Sequence, residues 1–273
     1  MKNIVIITSN AIRHRYFKIL FSNAKGINVL KTYVEADDQN TTLSRKEYTD
    51  LDVLSCHFTA RHNTEYDFFS DVVEYSEDRS QSSFIKKNEI NEGAIVQEIA
   101  ELNPDFIITY GCSIIKPALI KAMKNKIINV HLGLSPYYFG AGTNFHALVN
   151  NDFQCVGYTF MYMDEGIDTG EIIHQARAVV EPFDNPHQIG NRLIKSMVKD
   201  FIELIEGFDQ VKTMVAVSDA SGPTYKIRDA TDACTETLYK NFGNGSVLDY
   251  LRNKSSILKG YPVIEQSFMG KSN

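Results

Sequence analysis

The sequence is poor in cysteine, and its four cysteines are scattered along the chain. Cys56, Cys112, Cys155 and Cys234 include no CxxC pair and have no histidine nearby at zinc-finger spacing. Isolated thiols of this kind are typical of reduced intracellular proteins, so the pattern favours neither a disulfide framework nor a zinc site. We therefore expect a cytoplasmic protein that uses no metal.

Long apolar runs are missing as well. No segment approaches the roughly 20 apolar residues that a membrane-spanning helix needs. The apolar residues 4–7 follow a basic residue, but Thr8, Ser9 and Asn10 end the run at once. The run is too short for a signal peptide and predicts a first buried strand, so we expect no membrane partner.

Positive charge is also in short supply. The chain carries 28 Lys and Arg against 34 Asp and Glu, a formal charge of −6, whereas a nucleic-acid partner requires clustered basic residues. The densest basic stretch, residues 116–126, is typical of a solvated helix face. Residues 8–11, after the first strand, contain no glycine. The GxGxxG dinucleotide motif is therefore absent there, which disfavours a nicotinamide or flavin enzyme.

Apolar strand-like runs alternate with helical stripes along most of the chain. The predicted strands cover residues 4–7, 28–34, 105–110, 126–131, 155–163 and 171–180, and the predicted helices cover 16–21, 65–73, 90–102, 117–123, 145–150 and 186–208. For the last helix, Asn185 is the expected N-cap and Pro186 the first helical residue. This order predicts an α/β fold with a mostly parallel central sheet and flanking helices. Most of residues 35–88 is polar and acidic, and the pattern does not place it.

The composition changes after the last predicted helix. Residues 1–210 form the predicted α/β body, and residues 211–273 are more polar and rich in turn-forming residues. We interpret the second part as a C-terminal extension in which Leu248, Leu251 and Ile257 give an apolar face. The residues do not decide the role of this extension or the oligomeric state, and a homodimer stays open.

Two polar clusters carry the chemistry. Asn129 and His131 end a predicted strand and stand two residues apart, so their side chains point to the same face. Asp168 follows in the glycine-flanked turn 163–170. An amide that donates to an oxyanion, an imidazole that exchanges a proton and a carboxylate that orients the imidazole make an acyl-transfer site. Alternatively, the first two residues only terminate a strand and Asp168 only closes a turn, with Asp164 and Glu165 competing for its role.

The combination of motifs resembles the folate-dependent formyltransferases. It consists of Ile128-Asn129-Val130-His131, then Leu134-Ser135-Pro136 and Gly140, then Met163-Asp164-x-Gly166-x-Asp168-Thr169-Gly170. The resemblance extends over roughly residues 1–210 and implies a Rossmann-like formyltransferase fold with catalytic Asn129, His131 and Asp168. It also implies 10-formyltetrahydrofolate as the formyl donor. The residues implied to contact its pterin are Tyr110, Gly111, Ile114, Ile115, Asp164, Gly166 and Ile167.

The acceptor is less sharply defined. Gly133 stands where the tRNA-specific members usually have serine, Tyr137 replaces an expected basic residue, and no large second domain is expected, so a tRNA acceptor is disfavoured. A small molecule is expected, and the character of the chain is closest to the sugar N-formyltransferases of surface-polysaccharide synthesis. The acceptor candidates are Ser9, Asn10, Tyr137, Tyr138, Thr143 and Asn144, with Arg13 and Arg15 as alternative anion contacts or solvated helix-start residues.

These observations favour transfer of a formyl group to a nucleotide-linked amino sugar, with glycinamide ribonucleotide still open. In this reaction His131 is the general base, Asn129 the oxyanion donor and Asp168 the support of the imidazole. A formyltetrahydrofolate hydrolase, in which water is the acceptor, is one alternative, although such enzymes usually have a preceding regulatory domain. A non-catalytic folate- or nucleotide-binding module is the other, although it has no need of all three residues.

Overall fold

The computed structural model describes residues 1–36, 43–48, 52–217 and 222–270. Its strands are β1 (Lys2–Ser9), β2 (Ile27–Glu35), β3 (Ser82–Ile85), β4 (Phe106–Tyr110), β5 (Ile127–His131), β6 (Phe139–Gly140), β7 (Gly157–Tyr162), β8 (Ile172–Arg177) and β9 (Thr224–Tyr225). Its α-helices are α1 (Ile12–Ser22), α2 (Val53–Tyr75), α3 (Gly93–Leu102), α4 (Pro117–Ala122), α5 (Thr143–Val149), α6 (Pro186–Glu206), α7 (Asp232–Gly243) and α8 (Ser246–Ile257).

Seven strands form the central sheet in the order β3-β2-β1-β4-β5-β7-β8. The pairs from β3 to β5 are all parallel, and β7 and β8 add antiparallel to that edge. The prediction of an α/β fold with a mostly parallel sheet is therefore confirmed.

The sheet is covered on both faces, which explains why β1 is a continuous apolar run. Ile4 and Ile6 belong to a core cluster that also contains Phe17 of α1 and Phe201 of α6. Val5 and its neighbours on the opposite face pack with residues of α3 and α4. Successive strand residues point to opposite faces, so a strand buried on both sides must be apolar throughout.

Helix α6 begins where the sequence predicts. The Asn185 side chain accepts hydrogen bonds from the backbone N–H groups of His187 and Gln188, 3.0 and 2.9 Å long, and the Asn185 N–H donates in turn to Oε1 of Gln188. This capping box and Pro186 at the first position fix the start of the helix. The helix then buries its apolar stripe against the sheet.

The order in which successive strands are added to the sheet changes direction between β1 and β4. From β1 the chain builds outward to β2 and β3, then returns to place β4 and β5 on the other side. Ligands of open α/β sheets bind at such a switch point, beyond the carboxyl ends of the strands. The segment after β1 and the segments after β4 and β5 therefore frame the expected binding crevice.

Two parts of the chain differ from the sequence-based predictions. Helix α2 is far longer than the helix predicted at 65–73. The prediction was too short because the inward face of α2 carries buried polar residues such as His57, Asn63 and Glu65, which interrupt the apolar pattern. The extension is not dominated by turns, since it contains α7 and α8. It is also joined to the body: β9 pairs with β6, and the Gln175 N–H donates to the Ile264 carbonyl at 2.7 Å.

Candidate active site

A cavity of about 380 Å³ opens at the switch point. Asn129, His131 and Asp168 line one part of it, and Arg13 and Arg61 line another. The volume is at the small end of the range of about 300–1,000 Å³ found for small-molecule sites. The three residues singled out by motif spacing therefore share one concave surface.

His131 and Asp168 form a direct pair in the wall. Nδ1 of His131 lies 3.2 Å from Oδ2 of Asp168, and both side chains are largely buried, at 4% and 12% exposure. The same Oδ2 accepts a 2.8 Å hydrogen bond from the Gly140 N–H. Asp168 adopts a left-handed backbone conformation with φ of 54°, which aspartate tolerates better than most residues. Asp168 thus orients the imidazole, whereas the Asx-turn role belongs to Asp164, which accepts from the Gly166 N–H at 2.9 Å.

The second ring nitrogen of His131 also faces an acceptor. Nε2 lies 3.1 Å from the backbone carbonyl oxygen of Tyr138. A neutral imidazole has a single N–H, so only the doubly protonated ring donates to Asp168 and to this carbonyl at the same time. Both ring nitrogens of His131 therefore face oxygen atoms of the protein.

The Asn129 side chain on β5 is held by a hydrogen bond from a residue of the neighbouring strand β4. Thr109 is its register partner across β4 and β5, and the Thr109 hydroxyl donates to Oδ1 of Asn129 at 2.8 Å. Thr109 is fully buried. With the amide oxygen engaged, the NH₂ group of Asn129 remains as a donor in a side chain that lines the cavity.

A charged cluster occupies another part of the lining. Both oxygens of Glu65 on α2 accept from Nη1 of Arg13, at 3.0 and 2.8 Å, and Oε1 also accepts from Nε of Arg61 at 2.8 Å. Burial alone raises a carboxyl pKa, but the two guanidinium groups outweigh it and lower the pKa of Glu65. Glu65 is therefore ionised at neutral pH.

A histidine pair lies next to this cluster. The rings of His57 and His187 are 4.7 Å apart, and the Tyr239 hydroxyl contacts Nδ1 of His57 at 3.0 Å and Nε2 of His187 at 3.2 Å. Burial, followed by neighbouring positive charge, lowers the pKa of His57 to about 3 and that of His187 to about 4. Tyr239 belongs to α7 and Leu238 beside it lines the cavity, so the extension forms part of the site wall.

The residues predicted to contact the pterin lie in different environments. Tyr110 and Gly111 line the cavity. Ile115 is buried in the core on the α3–α4 face, whereas Ile114 and Ile167 are 79% and 55% exposed. Asp164 and Gly166 form the exposed loop before Asp168. The folate contacts assigned to them stay predictions.

The acceptor candidates are also divided. Thr143 and Asn144 line the cavity, although the Asn144 amide is engaged with the backbone of Gly157 at 2.9 and 3.0 Å. The Tyr137 hydroxyl donates to the Pro262 carbonyl at 2.9 Å, and the Tyr138 hydroxyl donates to Asp152 at 2.6 Å. Both tyrosine hydroxyls are therefore engaged with other parts of the protein. Ser9 is the last residue of β1 and Asn10 follows it, and both lie outside the cavity lining.

Gly133 has a steric reason to be glycine. A Cβ atom there would lie 2.4 Å from Nε2 of His131 and 2.4 Å from the Thr143 hydroxyl. Any side chain at this position, serine included, would displace the imidazole. The departure at position 133 thus belongs to the local packing around His131.

Sequence reasoning missed several residues of the wall. His57, Arg61 and Glu65 follow one another at intervals of four and share one face of α2, and His187 and Asn191 share the same interval on α6. The four-residue spacing of polar residues was the available signal. This spacing could not be interpreted, because the sequence pattern did not predict the first part of helix α2.

No helix among residues 1–36, 43–48, 52–217 and 222–270 is both long and apolar enough to cross a membrane. Within the same ranges, no group of three or more His, Cys, Asp or Glu side chains is arranged to hold a metal ion.

Comparison with known proteins places the chain in a family. Residues 18–205 match the formyl transferase family, and the chain belongs to that family. Methionyl-tRNA formyltransferase from Ehrlichia ruminantium (strain Gardel) is 31% identical over 132 residues, which cover 48% of this chain and 43% of the relative. The chain thus matches less than half the length of that relative.

Solved structures share the fold. Phosphoribosylglycinamide formyltransferase from Streptococcus pneumoniae TIGR4 superposes with a TM-score of 0.54 and 19% identity, covering 77% of this chain and 99% of that one. A sugar N-formyltransferase from Shewanella sp. FDAARGOS_354 gives a TM-score of 0.54 and 16% identity, covering 84% of this chain and 78% of that one. The predicted formyltransferase fold is therefore confirmed.

Proposed function

We propose that the protein transfers a formyl group from 10-formyltetrahydrofolate to a primary amine, foremost the amino group of a nucleotide-linked amino sugar. The observation that carries this proposal is the convergence of Asn129, His131 and Asp168 on one cavity. Amide, imidazole and carboxylate supply the donor, the proton carrier and the orienting charge that acyl transfer to an amine requires.

The proposed reaction has three parts. The amine nitrogen of the acceptor forms a bond to the formyl carbon, and negative charge develops on the formyl oxygen, to which the Asn129 amide donates. A proton leaves the amine nitrogen to His131, whose cationic form Asp168 stabilises. The bond between the formyl carbon and N10 of the folate then breaks, and N10 receives the proton as tetrahydrofolate leaves.

To act as the general base, His131 has to change one of its contacts. Its Nε2 faces the Tyr138 carbonyl in this structure, 3.1 Å away. To accept a proton the ring must be neutral, with one nitrogen lone pair directed at the amine and not at that carbonyl. Bound acceptor therefore has to displace the contact with Tyr138.

The predicted folate loops are suitable in kind for a pterin. Ile114 after β4 and Ile167 before Asp168 both expose apolar side chains. The Asp164 carboxylate is engaged within its own loop by the Gly166 N–H and the Thr169 hydroxyl. The loop therefore combines exposed apolar side chains with a carboxylate that is already engaged, a surface that suits a flat heterocycle. When bound, the folate supplies the activated formyl carbon.

Three features are compatible with an amino sugar as the acceptor. A solved protein described as a sugar N-formyltransferase shares the fold, as does a phosphoribosylglycinamide formyltransferase. The net charge of −6 argues against a tRNA acceptor. Leu238 and Phe145 add apolar lining for a sugar ring with reduced hydroxylation.

An acceptor panel tests the proposal. Purified protein is incubated with 10-formyltetrahydrofolate and nucleotide-linked amino sugars, glycinamide ribonucleotide or buffer alone. Mass spectrometry detects the formamide and absorbance detects tetrahydrofolate. A formylated sugar nucleotide is the expected product. Formylation of glycinamide ribonucleotide alone would overturn the sugar assignment, and formate release without any formamide would establish the hydrolase instead.

A further inference from the structure

Residues 133–138, here called the site loop, follow β5 and form the surroundings of the His131 ring. A Cβ atom on Gly133 would lie 2.4 Å from Nε2 of His131, so the backbone of the site loop packs directly against the imidazole. The carbonyl oxygen of Tyr138, at the end of the site loop, lies 3.1 Å from the same nitrogen. A shift of the site loop would therefore move the surface against which the imidazole packs.

A row of three residues across adjacent strands leads from His131 to the edge of the sheet. Thr159 of β7 is the register partner of His131, and Gln175 of β8 is the register partner of Thr159. Residues directly opposite each other in paired strands point to the same face of a sheet, so the three side chains share one face. Thr159 and Gln175 are almost fully buried. Gln175 therefore lies two strands from His131, in the interior of the protein.

Gln175 is the centre of the hydrogen bonds that hold the site loop. Its Nε2 group donates to the Ser135 carbonyl at 2.6 Å and to the Thr159 hydroxyl at 3.0 Å. The Thr159 hydroxyl also accepts from the Ser135 N–H at 3.2 Å and donates to the Gly133 carbonyl at 2.8 Å. The site loop is thus fixed at three main-chain groups, two on Ser135 and one on Gly133.

The polar atoms of this network have a full set of partners. A glutamine side chain offers two N–H donors and an accepting oxygen, and a threonine hydroxyl donates once and accepts twice. Gln175 uses both donors as described, and its Oε1 accepts from the Ile264 N–H at 3.1 Å. Thr159 uses its single proton and both lone pairs. A buried network that is fully satisfied rigidifies the segments that it joins.

The same glutamine joins the site loop to the C-terminal segment, residues 261–266. The Gln175 backbone N–H donates to the Ile264 carbonyl at 2.7 Å, while the Gln175 side chain accepts from the Ile264 N–H. The Tyr137 hydroxyl of the site loop makes a second link, since it donates to the Pro262 carbonyl at 2.9 Å. The C-terminal segment is therefore connected to the site loop at two points.

We propose that Gln175 is a positioning residue, which holds the site loop against His131 in the geometry that formyl transfer requires. The inference rests on the proposed function, because it assigns a support to the proposed general base. Gln175 lies outside the cavity lining and acts on the reaction through the site loop. A displacement of reacting groups by about 1 Å costs on the order of 100-fold in rate, so loss of this support has a measurable catalytic effect.

Gln175→Met is the variant of choice, because methionine is similar in length to glutamine and has no hydrogen-bond donor. Gln266→Met is the matched control. Gln266 is also buried, and its side chain donates to the carbonyls of Ile173 and Thr213 at 2.6 and 2.5 Å and accepts from the Lys212 N–H at 3.3 Å. The two variants lose the same number and kind of side-chain hydrogen bonds, but only Gln175→Met releases the site loop.

The first readout is the environment of the His131 ring, followed by NMR of protein labelled with ¹⁵N-histidine and free of substrate. The ring signals of His131 are identified by their absence from His131→Ala. Gln175→Met is expected to shift these signals, because the site loop packs against Nε2, and Gln266→Met to leave them unchanged. Urea denaturation is expected to show similar losses of stability in the two methionine variants. Unchanged His131 signals in folded Gln175→Met would overturn the proposal, whatever the enzymatic activity.

A second variant breaks the network at another residue. Thr159→Val keeps the shape of the side chain and removes the hydroxyl that donates to the Gly133 carbonyl. It is expected to shift the same His131 signals and to lower kcat as Gln175→Met does. Because both changes act through one loop, the double variant is expected to lose less kcat than the product of the two single losses. Independent, multiplicative losses would overturn the proposal.

The second readout is the steady-state kinetics of formyl transfer. Gln175→Met is expected to lower kcat about 10- to 100-fold and to leave the acceptor KM nearly unchanged, since the cavity lining is retained. Gln266→Met is expected to keep the kcat of wild type. Equal kcat values in the two variants would overturn the proposal. His131 signals that shift in Gln175→Met, in a protein whose wild type transfers no formyl group, would support the positioning of His131 by Gln175 and reject the proposed function.

Discussion

The Thr109 hydroxyl and the Asn129 side-chain oxygen are joined by a 2.8 Å hydrogen bond between adjacent strands. Because this bond occupies the amide oxygen, it decides which end of the amide faces the cavity. Thr109→Val removes the donor without changing the shape and is expected to lower kcat by about 10- to 100-fold, part of the loss of roughly 100- to 1,000-fold seen when an oxyanion donor is deleted.

Thr109→Ser is the matched control, since it keeps the hydroxyl and is expected to retain most of the activity. Steady-state kinetics separate kcat from KM, and the acceptor KM is expected to stay constant. If the valine variant loses activity to the same extent in an Asn129→Ala background as in wild type, Thr109 does not act through Asn129 and the positioning role is wrong.

Because His131 and Asp168 form a direct pair, we expect removal of the negative charge of Asp168 to lower the activity strongly. Asp168→Asn keeps the size and tolerates the left-handed conformation, yet it removes the negative charge 3.2 Å from Nδ1 of His131. We expect kcat to fall about 100-fold or more, since the analogous change in a catalytic triad costs about 10⁴-fold. Glu165→Gln, in the same loop, is the control and retains activity, because the Glu165 side chain is 57% exposed. Similar kinetics for the two variants would contradict the assignment of Asp168.

Gly140 and Gly142 predict different sensitivities to alanine. Both have positive φ, 87° and 68°, so each substitution carries about 1–2 kcal/mol of backbone strain. A Cβ at Gly140 would also lie 2.2 Å from the Tyr225 carbonyl, whereas at Gly142 the nearest atom is 3.8 Å away. Gly140→Ala should therefore lower the free energy of unfolding more than Gly142→Ala, as measured by urea denaturation. It should also reduce kcat, because the Gly140 N–H holds Asp168. Equal losses would contradict the role of the β6–β9 pairing.

His57 and His187 predict an acid-sensitive fold. Burial lowers their pKa values to about 3 and about 4, compared with about 6.5 in an unfolded chain. The unfolded chain therefore takes up protons between about pH 6.5 and pH 4 that the folded chain does not, and stability falls as the pH falls through that window. His187→Asn should lose less stability from pH 7 to about pH 5 than wild type does. Thermal unfolding across this range, with His62→Asn as the control outside the cavity, measures it; parallel curves would contradict the prediction.

The fold was predictable from the sequence where a strand is buried on both of its faces. Strands such as β1 are apolar on both faces, so their composition alone identifies them. Helix α2 was not predictable in the same way, because its inward residues His57 and Glu65 find their partners in Tyr239 and Arg13, far away in the sequence. Long-range satisfaction of polar groups leaves no local pattern.

The candidate site was predictable only in part for a similar reason. Asn129 and His131 share a face of one strand, and glycines flank Asp168, so spacing alone selected them. Thr109 depends on the register between β4 and β5, and Arg61 depends on the rotation of α2 about its axis. Neither the register between two strands nor the rotation of a helix about its axis can be predicted from the local sequence.

The most direct test of the account is transfer of a ¹³C-labelled formyl group to an amino sugar nucleotide, followed by NMR with wild type, His131→Ala and Asn129→Ala. We predict a formamide signal in wild type and a loss of about 100-fold or more in rate in each variant. Thermal unfolding verifies that both variants are folded. Wild-type rates in a folded His131→Ala protein would contradict the claim that these residues form a formyl-transfer site.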